Sequence, residues 1–191
     1  MEEPKTDRRV RKTKKQLRMA LTTLMMERSV GDITVREIAE LADVNRGTFY
    51  AHYRDVNDLL TQLEENVFLR LEEISVTNRS RSGEDALFAY LTDVMTLCRD
   101  SADIYRALVI RNNDMDFQQK LLEALKSHYM RSFVEYSSKA PARAQEYFCS
   151  FAVHGMLSIT NEWMESGLRE TPEEIARFGA DFILRGLGGL N

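Results

Sequence analysis

The chain has no run of about eighteen apolar residues, the length a helix needs to cross a bilayer. It opens MEEPKTDRRVRKTKKQ, which is charged and holds no apolar core, so a secretory leader is not expected and a cytoplasmic protein is. Cysteine is scarce. Cys98 and Cys149 stand alone without a C-x-x-C spacing, which reads as reduced thiols in place of a disulfide framework. His52, His128 and His154 are far apart and none sits in an H-E-x-x-H pattern, so no metal site is expected. Neither G-x-G-x-x-G nor a P-loop pattern occurs, which removes the usual phosphate-cradling loops, and no cofactor is implied. Cys149 precedes His154 by five residues on one expected helix, but a buried thiol and a packed imidazole explain both, and an enzyme is not expected.

Strand signals are also missing. There is no sustained period-2 alternation and no Asn-Gly or Asp-Gly hairpin turn. Three prolines and nine glycines leave few breakers, several near apparent helix ends. The expectation is an all-α protein of 191 residues, one large or two small domains, with 43% hydrophobic residues to build a core.

Charge is present but unevenly spread. Residues 1–55 hold 12 Lys and Arg against 9 Asp and Glu (+3), and the rest holds 14 against 21 (−7), which together give the net −4. Within residues 1–20 the count is 8 basic to 3 acidic. A basic front on an acidic body suits contact with a polyanion; a solvated helix face is the alternative.

Helical periodicity recurs along the chain. Val10, Leu17, Leu21, Leu24 and Met25 share one face of a first segment, with Gly31 placed to stop it. Thr34-x-x-Glu37 predicts a capping box for a short helix whose buried side is Ile38, Ala39 and Leu41. Asp43-Val44-Asn45 breaks that helix, and Asn45 caps the next, over Arg46–His52. Asp55 caps a fourth helix with Asp58 in its first turn, and its stripe of Leu59, Leu60, Leu63, Val67, Leu71 and Ile74 runs to about Val76. A linker-like TNRSRSGED follows, then apolar-periodic segments at about 84–99, 102–111, 115–136 and 141–166. Pro141 suits the first turn of the last of these and Gly167 its end. Thr171, Pro172 and Glu174 open a final helix with a second capping box, running to about Arg185 before GLGGLN. The total is about nine helices, the three at the front short.

Two short helices joined by a tight turn and preceded by a basic segment make a helix-turn-helix pattern. The string TVREIAELADVNRGTFYAHYRDVNDLL, at this distance from the start, resembles the tetracycline-repressor-like (TetR/AcrR) family of bacterial regulators over about residues 10–60. The later FAVHGMLSITNEWMESGLRETPEEIARF resembles the final helix pair of a branch that includes activators as well as repressors. The resemblance implies a DNA-binding domain at 1–55 and a helical effector-binding and dimerisation domain at 56–191. It implies a homodimer on a palindromic double-stranded operator, with Arg46–Tyr53 as the recognition helix.

The residue chemistry fits that implication. Arg46 reaches a phosphate or forks onto guanine, Thr48 offers a hydroxyl or a methyl to a base edge, and Tyr50 gives its hydroxyl to a phosphate. Gly47 leaves room for the backbone to approach DNA. Thr34 and Arg36 stand where backbone contacts are usual, and Asn45 is first a cap and secondarily a contact. Phe49 and Tyr53 are expected in the core, while His52 is open between packing and phosphate contact. Many family members carry a Lys at the start of the fourth helix; Val56 stands there instead, with Arg54 nearby as the replacement.

The body is rich in Met and aromatic residues at helical spacing, mostly core by their pattern. The family implies an effector pocket among them, for which Tyr105, Tyr129, Phe133 and His154 are the candidates, suited to an apolar or aromatic ligand. The alternative is a body that binds a co-regulator protein. The last two helices carry Phe148, Phe151, Ala152, Met156, Ile159, Trp163, Ile175, Phe178, Phe182 and Ile183, enough for a four-helix dimer bundle.

Overall fold

A computed structural model describes residues 5–81, 83–112, 114–133 and 141–185, with side chains from 8 onward and excluding those of 128–133. Among these residues every regular element is helical: α1 (Lys5–Met25), α2 (Val35–Leu41), α3 (Arg46–Tyr50), α4 (Val56–Thr77), α5 (Gly83–Asp100), α6 (Ala102–Tyr105), α7 (Met115–Phe133), α8 (Ala142–Glu165) and α9 (Pro172–Arg185). The all-α expectation and its nine helices hold. No helix among the described residues is long and apolar enough to cross a membrane.

The chain divides into two compact units, Met1–Val67 with Asp103–Asp114, and Phe68–Ala102 with Met115–Asn191. In the first unit α1 packs on α2, and α2 on α3. The core here is Leu17, Ala20, Leu21 and Met25 of α1, with Ile33, Ile38, Ala39, Phe49, Tyr53, Leu59 and Leu63. Residues 106–111 also belong to this unit. They form a π-helical turn, Arg106–Arg111, that packs against α1 and buries Ala107 and Leu108.

Several expectations change in detail. The first helix is 21 residues long, not short. It ends at Met25 and not at Gly31, which lies in a 3-10 turn, Val30–Asp32. Met25 is its last buried residue, and amides of Glu27 and Arg28 fold back onto the Leu24 carbonyl so that Ile33 can reach the core. Leu41 is exposed, not buried, leaving Ile38 and Ala39 as the inner side of α2. Segment 102–111 is not one regular helix but α6 followed by the π turn.

In the second unit α5 packs chiefly on α9 and α7 on α8. The α9 helix also meets α8, where Gly179 leaves room for Met156: a Cβ there would collide with its thioether. Arg177 lies 3.8 Å over the Phe88 ring, and Arg185 pairs with Glu84 at 3.1 Å, so both tie α9 to α5 at its surface. The α8 helix starts after Pro141, which stands one position outside the first turn because its ψ of 142° is extended. It ends as expected at Gly167, whose φ of 88° suits glycine; Leu168 donates back to Trp163 and Gly167 to Met164. The Thr171/Glu174 capping box opens α9, with hydrogen bonds of 2.8 and 3.2 Å.

Candidate nucleic-acid interface

The first candidate position, Thr34, is the N-cap of α2. Its hydroxyl accepts from the Glu37 amide at 3.3 Å, and the Glu37 carboxylate accepts from the Thr34 amide at 2.9 Å and hydroxyl at 2.6 Å. Arg28 adds an ion pair to the same carboxylate at 2.8 Å. These hydrogen bonds from Thr34, followed by the one from Arg28, hold the Glu37 carboxyl down to about 2. Arg36, exposed one residue before Glu37, is bound to Glu40 at 2.8 Å one turn on.

The turn into α3 depends on one left-handed residue. Asp43 has φ 52°, with its amide donating to Glu40 and that of Val44 to Ala39, which closes the end of α2. Asn45 then caps α3, accepting from the Gly47 amide at 2.6 Å. A Cβ on Gly47 would lie 2.9 Å from that same Asn45 oxygen. The glycine is therefore needed by the cap itself, a reason independent of how close DNA comes.

Behind α3, Phe49 is fully buried and Tyr53 is 2% exposed, with their rings 5.7 Å apart. Both core expectations hold. Burial raises the Tyr53 phenol, opposed by the Arg18 charge from α1, and Lys14 of α1 lies 5.9 Å above the Tyr53 ring. Thus α1 clamps the residue that follows α3. In front, Asn45, Arg46, Gly47 and Tyr50 are exposed, Tyr50 to 58%, while Thr48 and His52 are half-buried. Arg54 is exposed beyond them and tied to Asp58, by its amide at 2.8 Å and its guanidinium at 3.5 Å. The result is a short helix whose anchored back fixes an outward face of one cation, one phenol, a hydroxyl and bare backbone.

The body candidates are not assembled in the same way. Tyr105 is buried in the first unit. His154 is exposed on α8, its Nδ1 paired with the Ser150 carbonyl at 2.7 Å. The side chains of Tyr129 and Phe133 lie outside the described residues, as does His128. Cys149 is buried and donates to the Lys126 carbonyl at 3.8 Å, so it and His154 hold separate partners. Burial pushes the Cys98 thiol up to about 12 and raises Cys149 as well.

Two family profiles match this sequence. Residues 19–63 match the one described as bacterial regulatory proteins, tetR family, and residues 85–184 the one described as transcriptional regulator C-terminal region. The chain belongs to the TetR family of transcriptional regulators. Its helix-turn-helix is therefore the DNA-binding domain of a TetR-family regulator. No curated protein sequence matches the chain.

Solved structures with the same fold include the fatty acid degradation regulator FadR from Bacillus halodurans, 14% identical, covering 98% of each chain, with a TM-score of 0.70. FadR from Bacillus subtilis in complex with stearoyl-CoA is 14% identical, over 90% of this chain and 98% of that one, with a TM-score of 0.68. The dihydroxyacetone kinase operon activator DhaS is 19% identical, over 90% and 94%, with a TM-score of 0.59.

The sequence pattern located α3 and its Asn45 cap but missed two features. One is the left-handed Asp43, for which an Asp-Val-Asn break gave only a general turn signal. The other is the pairing of Arg28, Arg36 and Arg54 with Glu37, Glu40 and Asp58, of which the i, i+4 spacing of Arg36/Glu40 and Arg54/Asp58 was the available signal.

Proposed function

We propose that this TetR-family regulator is a homodimeric repressor in the cytoplasm, with residues 1–55 binding a palindromic operator and residues 56–191 binding an effector and the second protomer. The observation that carries it is the outward face of α3, backed by fully buried Phe49. In this reading Arg46 and Thr48 meet base edges. Tyr50, His52, Arg54, Thr34 and Arg36 meet phosphates, and Asn45 and Gly47 hold the backbone at the groove. Arg36 and Arg54 reach DNA by leaving their own carboxylates.

The dimer forms through α8 and α9. Ala152, Met156, Trp163, Ile175 and Ile183 are buried within the chain itself, so the contact falls to the exposed Tyr147, Phe151 and Phe178. The effector is an apolar molecule such as a long-chain acyl thioester, which the likeness to FadR with stearoyl-CoA favours. Tyr129, Phe133 and His154 of the second unit are the residues proposed to orient it, while Tyr105 falls in the first unit. The likeness to DhaS, an operon activator, favours a second reading in which the body takes a protein partner and transcription is raised.

The test is binding of purified protein to a duplex from upstream of its own gene, with sedimentation and a stearoyl-CoA titration alongside. A dimer released by stearoyl-CoA supports the repressor. No binding to that duplex, or a monomer with and without DNA, overturns it. A change in binding of tenfold corresponds to about 1.4 kcal/mol of coupling.

A further inference from the structure

The helix-turn-helix that meets DNA is itself acidic. Between Met26 and Asp55 there are four Arg against six Asp and Glu, a net −2. Three of those four arginines, Arg28, Arg36 and Arg54, are neutralised by Glu37, Glu40 and Asp58. Only Arg46 of the four makes no ion pair among the described residues. Its hydroxyls and amides can position phosphates, but a net-negative surface supplies little of the charge neutralisation that holds a protein on duplex DNA.

The cations lie one helix earlier. From Lys5 to Arg18 there are eight Lys and Arg against the single Asp7, a net +7. Among the described side chains the fully buried residues of α1 begin only at Leu17; before it Val10, Thr13, Lys14 and Gln16 are half-buried, and the rest of residues 8–16 is an exposed face. Arg8, Lys12 and Lys15 are spaced four and three residues apart, which places them in one stripe, spanning about 10 Å at 1.5 Å per residue. All three are exposed, and none makes an ion pair among the described residues. Lys15 neighbours Lys14 and is three residues from Arg18, the two side chains that reach Tyr53 behind the recognition helix. The stripe therefore adjoins the α3 side of the first unit. It also precedes residue 19, where the match to the family profile begins.

We infer that the N-terminal half of α1, through Arg8, Lys12 and Lys15, is the phosphate-gripping element of this regulator, supplying sequence-independent affinity that its acidic helix-turn-helix does not. This rests on the DNA-binding reading above. Such a stripe sets affinity, register and salt dependence, and carries no sequence information.

The test uses the full chain with Arg8→Gln, Lys12→Gln and Lys15→Gln combined, against two duplexes of about 30 base pairs, one from its own upstream region and one of random sequence. The expected result is a loss of roughly 10- to 100-fold on both duplexes at 150 mM salt, with their ratio unchanged. The slope of log affinity against log salt should fall by about 2.7 per protomer, 0.9 for each phosphate no longer neutralised. An Arg8→Lys, Lys12→Arg, Lys15→Arg chain should keep the wild-type slope. If the Gln variant, with an unaltered unfolding temperature, keeps the wild-type slope and affinity, the inference is overturned while DNA binding stands. A loss confined to the upstream duplex overturns it too, because the stripe would then be reading sequence. A wild-type protein that binds neither duplex overturns the DNA-binding reading and this inference together.

Discussion

The N-terminal half of α1 and the helix-turn-helix that follows it are opposites. The first holds seven Lys and Arg between Lys5 and Lys15, and its exposed positions serve no part of the core. The second has net −2, but nearly every polar group in it has an assigned partner: Thr34 with Glu37, Arg36 with Glu40, Asn45 with Gly47, Arg54 with Asp58. Charge without fixed geometry gives grip, and geometry without net charge gives discrimination. In the proposed reading, separating the two lets a recognition helix of only five residues, Arg46–Tyr50, serve.

The sharpest way to break the comparison is to remove the geometry and leave the charge. Phe49→Ala, at a fully buried ring, should cost roughly 3–5 kcal/mol in urea unfolding, whereas changes in the α1 stripe should stay within about 0.5 kcal/mol. Equal, small costs would mean that α3 is not anchored through its core face. Next in size is the turn. Asp43→Val forces a β-branched residue to φ 52° and should cost about 1–2 kcal/mol, while Asp43→Gly should be tolerated without loss. A tolerated valine would show that the turn is not left-handed in solution.

The cap comes third. Gly47→Ala and Asn45→Ala should each cost about 1 kcal/mol, and Gly47→Ala should cost less in the Asn45→Ala background because the colliding oxygen is gone. Strict additivity in that double-mutant cycle would place the need for glycine elsewhere. The smallest effect is in pH. The Glu37 carboxyl lies at about 2 in the folded chain against an ordinary 4.5, so its stabilisation is complete above about pH 4.5 and is lost as pH falls toward 2. Glu37→Gln should flatten that part of the acid unfolding profile. An unchanged profile would mean that the capping box does not set it.

What could be read from the sequence was what local chemistry determines. The two capping boxes, the Asn45 cap and the Gly167 stop each need only three to five residues, and each stands where its spacing put it. The failures needed tertiary information. Gly31 looked like a stop, yet α1 ends earlier because the chain must turn for Ile33 to be buried. The π turn at Arg106–Arg111 follows from packing on α1, which a periodic pattern over ten residues cannot register. In the candidate interface, α3 was legible because its aromatic anchors and cap are adjacent in sequence. The division proposed between grip and readout was not, because the basic count of residues 1–20 was in the sequence but the pairing of Arg28, Arg36 and Arg54 with carboxylates was not.

The central claim is that α3 reads sequence while α1 holds the backbone, and Arg46 decides it most directly. The measurement is the affinity ratio between a duplex from the chain's own upstream region and a random duplex, for wild type and Arg46→Ala at one salt concentration. The account predicts that the ratio falls by the equivalent of about 1–3 kcal/mol, while binding to the random duplex changes little. An equal loss on both duplexes, leaving the ratio unchanged, would make Arg46 another phosphate contact and contradict the division of labour.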